Sequence, residues 1–430
     1  MPIVSYPGGS YVLEDSSVRQ DILNISNGLD VVSGDIIDLT RDLKPWRICA
    51  TRGNFYYTGD GSGGQTRFES YIKVAICKGG VTAIRLVYAN KYSTDEGETV
   101  SLLSTYTLES SVTIAGTLIP VTFGGKKSPA VDPDTPFVIS DPIGISLPEG
   151  TIIEVRTGAI IAFGGRIAVG LRSGGNATVK VRSNSASSQI YTTSAMVTPL
   201  GGTTASNGFV PMAVLGKVVE DPASVLLLGD SQLVGIGDTS DFTTGLLGGV
   251  ERAMAYCMIG FSNGSRGGDK TGTYNSKTCS SRLSLLPYVT HLYANMGIND
   301  VTIGRSASTI LANVDALINI CQRARVRLVY ESIFTVTTSN NSWADMSGQT
   351  VTAGFEVGGV RDQVNAGLIS RANSGLLDYI DTSSSLIDPT TNKWLPNTTD
   401  DGTHTGTNGH LIRQSVIAAH AIQWHNLTDY

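Results

Sequence analysis

The chain has 430 residues, 31 Lys and Arg against 37 Asp and Glu, and a formal net charge of −6. That length favours two domains over one. No Lys/Arg cluster stands out, which argues against a nucleic-acid surface or a polybasic membrane attachment, since both need concentrated positive charge. With 41% hydrophobic and 16% charged residues the composition suits a soluble globular protein, and 49 glycines favour a turn-rich, β-rich part.

No run of about 18 apolar residues occurs, so no membrane-spanning helix is expected. The opening MPIVSYPGGSYVLEDSS lacks a basic stretch followed by an apolar one, so it does not read as a secretory signal. The five cysteines, Cys49, Cys77, Cys257, Cys279 and Cys321, follow no metal-ligand spacing. They are expected to be mostly buried thiols, with a Cys257–Cys279 disulfide left open.

The first 40 or so residues (domain 1–44) read as an arm, an extra β element or an attachment segment, with a short helix over SVRQDILNI (17–25) the one helical pattern there. From 45 to 217 the signal is alternation, in TRFESYIKVAICK (66–78), VTAIRLVYA (81–89), GTIIEVRTGAIIAF (150–163) and NATVKVRS (176–183). The clusters GDGSGG, GGKKSP, VDPDTP and PLGGTT separate these runs. Short strands punctuated in this way predict an all-β, jelly-roll-like sandwich.

The pattern switches after VVEDPA (218–223), which places a domain boundary at 217/218. SVLLLGD is a short apolar run of the kind buried on both faces of a parallel sheet. A helix over 244–257, a strand at HLYANMG (291–297), an amphipathic helix over 306–324 and a strand at 326–334 follow in turn. A helix over 357–373, a strand at 376–382 and a terminal helix over 409–425 complete the series. This alternation predicts an α/β domain over 218–430, a parallel sheet with helices on both faces.

LLLGDSQ places Ser231 just past the C-terminal end of the first of these strands, where open α/β sheets bind ligands. Its own N–H could donate to an oxyanion there. Near the other end of the domain, DDGTHTGTNGH sets Asp401 and His404 three residues apart, so that both side chains share one side of a turn. Asp401 can then accept from His404 Nδ1–H and leave Nε2 free to take a proton from Ser231, which is a poor nucleophile without such a base. The same segment also reads as a surface turn before the terminal helix. His291, His410, His420 and His425 read as structural. Asn299, in NMGIND, offers a side-chain amide to an oxyanion or serves a helix cap. The glycine-rich NGSRGGDKT (263–271) could supply a further N–H, because glycine permits close backbone approach.

Taken together, the four blocks fall in the order Ser, Gly, Asn and Asp-x-x-His, each after a predicted strand. In this the sequence resembles the SGNH (GDSL-type) hydrolase superfamily. Gly229-Asp230-Ser231 matches the first block, Asn263 to Asp269 the second, Gly297 to Asp300 the third and Asp401 to His404 the last, with Gly409 at a fitting distance beyond. The resemblance covers about 225–425. It implies a flavodoxin-like three-layer α/β/α domain and hydrolysis through an acyl-enzyme on Ser231, with Asp401 and His404 completing a triad. The oxyanion hole it implies is formed by Ser231, Gly268 and Asn299, with Gly264 and Gly267 as alternatives to Gly268. No metal or cofactor is needed.

Three features lean toward an acetylated glycan as the substrate: a β-sandwich fused to such a domain, no long apolar lid between the blocks, and linking segments rich in Ser, Thr, Asn and Gly. Trp394, in NKWLPN, either stacks on a sugar ring or serves the core. A general short-chain or lipase-like esterase is the alternative, as is a structural or adhesive module of the phage-tail kind with a vestigial SGNH domain. The sandwich could also wall the cleft or join copies into a homo-oligomer. An extracellular or virion-associated location is the expectation that goes with these readings.

Overall fold

The computed structural model describes residues 3–6, 9–12 and 46–426, except 52, 55–58, 61–63, 95–96, 100–102, 134, 136, 171–177, 184–187, 189, 192–202, 205–207, 239–244 and 276. The chain divides into two compact units, Met1–Lys44 and Pro45–Tyr430. In the first, Ile3–Tyr6 pairs antiparallel with Gly9–Val12. The helix predicted over 17–25 lies outside the described residues.

The alternating runs of the N-terminal half are strands. Arg67–Ala75, Tyr106–Ile114, Ile152–Ile161 and Thr178–Ser183 belong to one antiparallel sheet; Trp46–Ile48, Val81–Ala89 and Ala213–Val218 belong to a second. Buried side chains of the two sheets meet. Tyr88 of the second hydrogen-bonds through its Oη to Ser110 Oγ (2.8 Å) and Thr157 Oγ1 (3.0 Å) of the first. Its ring also lies against Phe123 and Phe209.

The other half is built on a wholly parallel sheet of β1 (Gly53–Asn54), β2 (Ser224–Gly229), β3 (Gly260–Asn263), β4 (His291–Asn295), β5 (Arg327–Glu331) and β6 (Asp378–Ile380), in the spatial order β6-β5-β4-β2-β3-β1. Without β1 this is the doubly wound order of flavodoxin-like folds, with its reversal between β2 and β4. Ligand crevices form at such a reversal, where neighbouring connections leave on opposite faces.

The reason for the parallel arrangement is legible along β2. Val225 and Leu227 join one apolar cluster, while the alternate residues Leu226 and Leu228 are wholly buried on the other side. A strand apolar on both faces needs a helical layer on each. The cluster containing Val225 is closed by α2 (Gly248–Tyr256) and α6 (Thr407–Ala421), through Val250, Met254, Ile417 and Ala421. Two further helices, α4 (Ala307–Arg323) and α5 (Val360–Asn373), pack on each other and on β5 and β6. No described helix is long and apolar enough to cross a membrane.

Edge strand β1 comes from before position 218, so the two halves share a sheet. They interlock elsewhere too. Phe261 N–H donates to Ala50 O (3.1 Å), and a Cβ on Gly260 would lie 2.2 Å from Ile48 O. Arg47 grips Asp221 with two hydrogen bonds, Nε to Oδ1 at 2.6 Å and Nη2 to Oδ2 at 3.0 Å. All five cysteines are buried and free, so Cys257 and Cys279 are not bridged.

One ion pair of the parallel half is shut away from water completely. The side chains of Arg413 on α6 and Glu331 at the end of β5 are both 0% exposed and paired at 2.5 Å. Removing one partner of such a pair leaves an uncompensated buried charge. Glu331→Gln is expected to lower the unfolding free energy by about 3–5 kcal/mol, which urea denaturation will measure.

Candidate active site

Ser231 opens α1 (Ser231–Val234), directly after β2. The turn between strand and helix is tight. A Cβ on Gly229 would lie 2.5 Å from Leu233 Cδ1 and 2.7 Å from Asn295 O, so glycine is required there. Asp230 caps the helix, its Oδ1 accepting Gln232 N–H at 2.9 Å. Burial pushes the Asp230 carboxyl up to about 7, against the pull of that hydrogen bond and of Arg413 and His404.

The segment bearing Asp401 and His404 arrives from the other end of the domain. His404 Nε2 lies 2.9 Å from Ser231 Oγ, and His404 Nδ1 lies 2.7 Å from Asp401 Oδ2. The other carboxylate oxygen, Oδ1, accepts the backbone N–H groups of Thr403 (2.8 Å) and His404 (2.7 Å). Partial burial would raise the Asp401 carboxyl, but the hydrogen bonds from His404 and from these two N–H groups outweigh it and bring it down to about 2. An ionised Asp401 accepts, so the imidazole proton sits on Nδ1 and Nε2 is free to accept from the serine.

Gln232, which sequence reasoning passed over, fixes the approach of these two segments. Its side-chain Nε2 donates to Thr403 O at 2.6 Å, and its backbone carbonyl accepts Arg413 Nη1 at 2.8 Å. At Gly237 a Cβ would lie 2.3 Å from Thr405 O, so the chain leaving α1 runs against the histidine segment. Nothing in a single glutamine announces this; the contact spans 171 positions.

Asn299 stands on α3 (Ile298–Thr302), just after β4. Its Nδ2 donates to Asp269 O at 2.9 Å and lies 3.4 Å from Asp230 Oδ2. Gly297, not Asn299, is the cap residue of that helix. Gly268 lies in the turn from Arg266 to Asp269, closed by Asp269 N–H donating to Arg266 O at 3.2 Å. Its φ is +85° and a Cβ there would meet nothing, so backbone conformation selects glycine and the position is open. Gly264, one of the alternatives, is unsuited to bind an oxyanion. Its N–H is spent on Leu227 O at 2.8 Å, and a Cβ would lie 3.0 Å from Leu228.

Trp394 does not reach this site. It is 0% exposed, packed with Phe334, Leu386 and Ile387, and its Nε1 donates to Gly402 O at 2.9 Å. A ring buried on both faces cannot stack on a sugar, and the expectation that it does is withdrawn. It acts from behind, holding the turn that carries Asp401.

Three of the other four histidines have structural contacts. His425 links Ala223 N–H to Cys257 O, and His420 is exposed. His291 stacks on Trp424 at 4.6 Å, and His410 Nδ1 accepts Gly249 N–H at 3.2 Å while Nε2 faces Ile236 O at 3.1 Å. Burial brings both His291 and His410 down to about 3. Among the described residues no group of three or more His, Cys, Asp or Glu is placed to hold a metal ion.

No protein-family model matches the chain, and no curated protein matches it. Solved structures similar to it are GDSL-type lipolytic proteins and esterases. A GDSL-like lipase from Bacteroides thetaiotaomicron is 13% identical, with 46% of this chain and 87% of that one covered at a TM-score of 0.32. A psychrotrophic esterase from Pseudoalteromonas is 16% identical, with 47% and 98% covered at 0.32. An acetyl-xylooligosaccharide esterase from Geobacillus, solved as a mutant, is 14% identical, with 47% and 95% covered at 0.34. At such distances the chemistry has to come from the geometry of this chain.

The two low-titrating imidazoles give a pH dependence of stability. In the folded chain burial keeps His291 and His410 neutral down to about pH 3, whereas in the unfolded chain they take up protons below the ordinary histidine value of 6.5. Their contribution is therefore intact above pH 6.5 and is lost as pH falls through that value, at about 1.4 kcal/mol per pH unit for each ring. Denaturation at pH 7 and pH 5 should show the drop, and His410→Gln should make it shallower.

Proposed function

We propose that this chain is an SGNH-type serine esterase that removes short acyl groups, acetyl above all, from a carbohydrate. The observation that carries the reading is the continuous hydrogen-bonded chain Ser231 Oγ–His404 Nε2 (2.9 Å) and His404 Nδ1–Asp401 Oδ2 (2.7 Å), at the C-terminal edge of a parallel sheet.

Ser231 Oγ attacks the ester carbonyl carbon as its proton passes to His404 Nε2, and Asp401 stabilises the resulting imidazolium. The carbonyl oxygen becomes an oxyanion, bound by the N–H groups of Ser231 and Gly268 and by the Asn299 amide. Each donor contributes about 3 kcal/mol in the transition state. His404 returns its proton to the leaving alcohol, which departs as the acyl-enzyme forms. Water then repeats the sequence with His404 as base and releases the acid.

A polar substrate suits the partly exposed Arg266 and Lys270 beside the Gly268 turn and the lack of an apolar lid segment between the blocks. In this reading residues 218–430 are the catalytic module. Residues 45–217 are a β-sandwich that walls the cleft or joins copies of the chain, and the protein works outside the cell or on a virion.

Ser231→Ala should remain folded and lose about 10³-fold or more in turnover. A variant retaining several per cent of the wild-type rate would sink the nucleophile assignment. His404→Ala should cost more than Asp401→Asn, because the first removes the group that moves the proton and the second only the group that orients it.

Acetate release across a panel of acetylated glycans, with p-nitrophenyl acetate, butyrate and octanoate alongside, tests the substrate class. Acetate is expected to be the fastest acyl group and at least one glycan to outrun the aryl ester. An optimum at octanoate would move the enzyme to the lipolytic alternative.

A further inference from the structure

The hairpin Tyr92–Thr94 and Gly97–Thr99 projects from the antiparallel half onto the segment Thr278–Arg282 of the parallel half. Glu98 N–H donates to Thr278 O at 2.8 Å, and a Cβ on Gly97 would lie 2.6 Å from Thr278 Cβ, so the two backbones touch. Lys91 Nζ donates to Ser280 Oγ at 2.9 Å beside them.

The Glu98 side chain is 0% exposed. Its Oε2 accepts Ser281 N–H at 2.6 Å; its Oε1 accepts Arg282 N–H at 3.1 Å and Arg282 Nε at 3.0 Å. The Arg282 side chain is 1% exposed, and its far end is used in the opposite direction. Nη1 donates to Gly264 O at 3.0 Å and to Asp269 Oδ2 at 3.0 Å, the two ends of the loop that contains Gly268.

Asp269 in turn meets two oxyanion donors of the proposed site directly and reaches towards the third through Tyr274. Its carbonyl accepts the Asn299 amide at 2.9 Å. Its carboxylate lies 2.9 Å from Tyr274 Oη, which donates to Gly229 O at 2.7 Å, two residues before Ser231. Gly268 is its chain neighbour. A buried guanidinium adopts the position its acceptors dictate, since it cannot turn to water. With Glu98 in place the Arg282 Nε edge is anchored, and the Nη1 corner is held over the loop.

We propose that Glu98 is a positioning residue of the esterase site: from the antiparallel half, through Arg282 and Asp269, it sets the Gly268 turn and the Asn299 amide where the oxyanion forms. This rests on the esterase reading above and adds to it a site residue from outside the catalytic module. Without the carboxylate, Arg282 loses two hydrogen bonds to one charged oxygen, re-centres on Asp269 and draws the turn with it. A displacement of that kind costs about 10–100-fold in rate while leaving substrate capture largely alone.

The test uses the full chain with Glu98→Gln, and with Glu98→Asp, which keeps the charge and withdraws it by one methylene. Each is checked for folding by circular dichroism, and the Asp variant carries the test if the Gln variant does not fold. Rates are measured on p-nitrophenyl acetate and on its thionoester, in which sulfur, a weak hydrogen-bond acceptor, stands where the oxyanion develops. Amide hydrogen exchange is followed over residues 264–271 and, for comparison, over β4.

The expected result is a kcat about 10–100-fold lower on the ester with KM little changed. The loss on the thionoester is smaller, and exchange is faster over 264–271 but unaltered in β4. A folded variant with the wild-type ester-to-thionoester ratio, or with unaltered exchange over 264–271, overturns the proposal. The exchange measurement needs no substrate, and Ser231→Ala makes no reference to Glu98, so failure of the positioning role and failure of the esterase reading are separable.

Discussion

A guanidinium sealed from solvent underlies the catalytic geometry. Arg413, held by Glu331 at 2.5 Å with both side chains wholly buried, ties α6 to the end of β5 and turns its remaining corner to the carbonyl of Gln232. Gln232 then reaches the carbonyl of Thr403. Ser231 and His404, the proposed nucleophile and base, are 173 positions apart in the chain, and this ion pair helps to set them against each other. Buried pairs of this kind contribute little to net stability compared with apolar substitutes, because desolvation offsets most of the attraction. Their value here is geometric: the directional fork of an arginine fixes where a neighbouring carbonyl must sit.

A second guanidinium repeats the device on the other side of Ser231. Arg282 lies between Glu98 and Asp269, below the turn that carries Gly268. The two arginines divide the work. In the proposed mechanism one orders the segments that exchange the proton, and the other orders the segments aimed at the developing charge. Between them Asp230 is fully buried, and that burial raises its carboxyl well above the usual carboxylate range.

What the sequence revealed followed the range of the interactions. Ser231, Asp401 and His404 were legible because each sits in a short local pattern, and the helices were legible because α4, for instance, repeats Ile310, Val314, Leu317 and Cys321 on one face. Trp394 stayed ambiguous because NKWLPN mixes polar and apolar residues, and only its neighbours in space, Phe334, Leu386 and Ile387, decide for the core. Glu98 and Gln232 carried no signal, since what matters about each is a partner more than 170 positions away. The choice between Gly264 and Gly268 needed coordinates as well: both belong to the same block, but only one has its N–H committed to a strand.

The two-residue strand β1 has a consequence for how the chain comes into being. It pairs with Ser262 and Asn263, about 200 residues further along. At translation rates of roughly 5–20 residues per second, its partner is synthesised about 10–40 s later. The parallel sheet therefore cannot be completed while the N-terminal half is the only part made. For that interval residues 53–54 lack the strand they pair with.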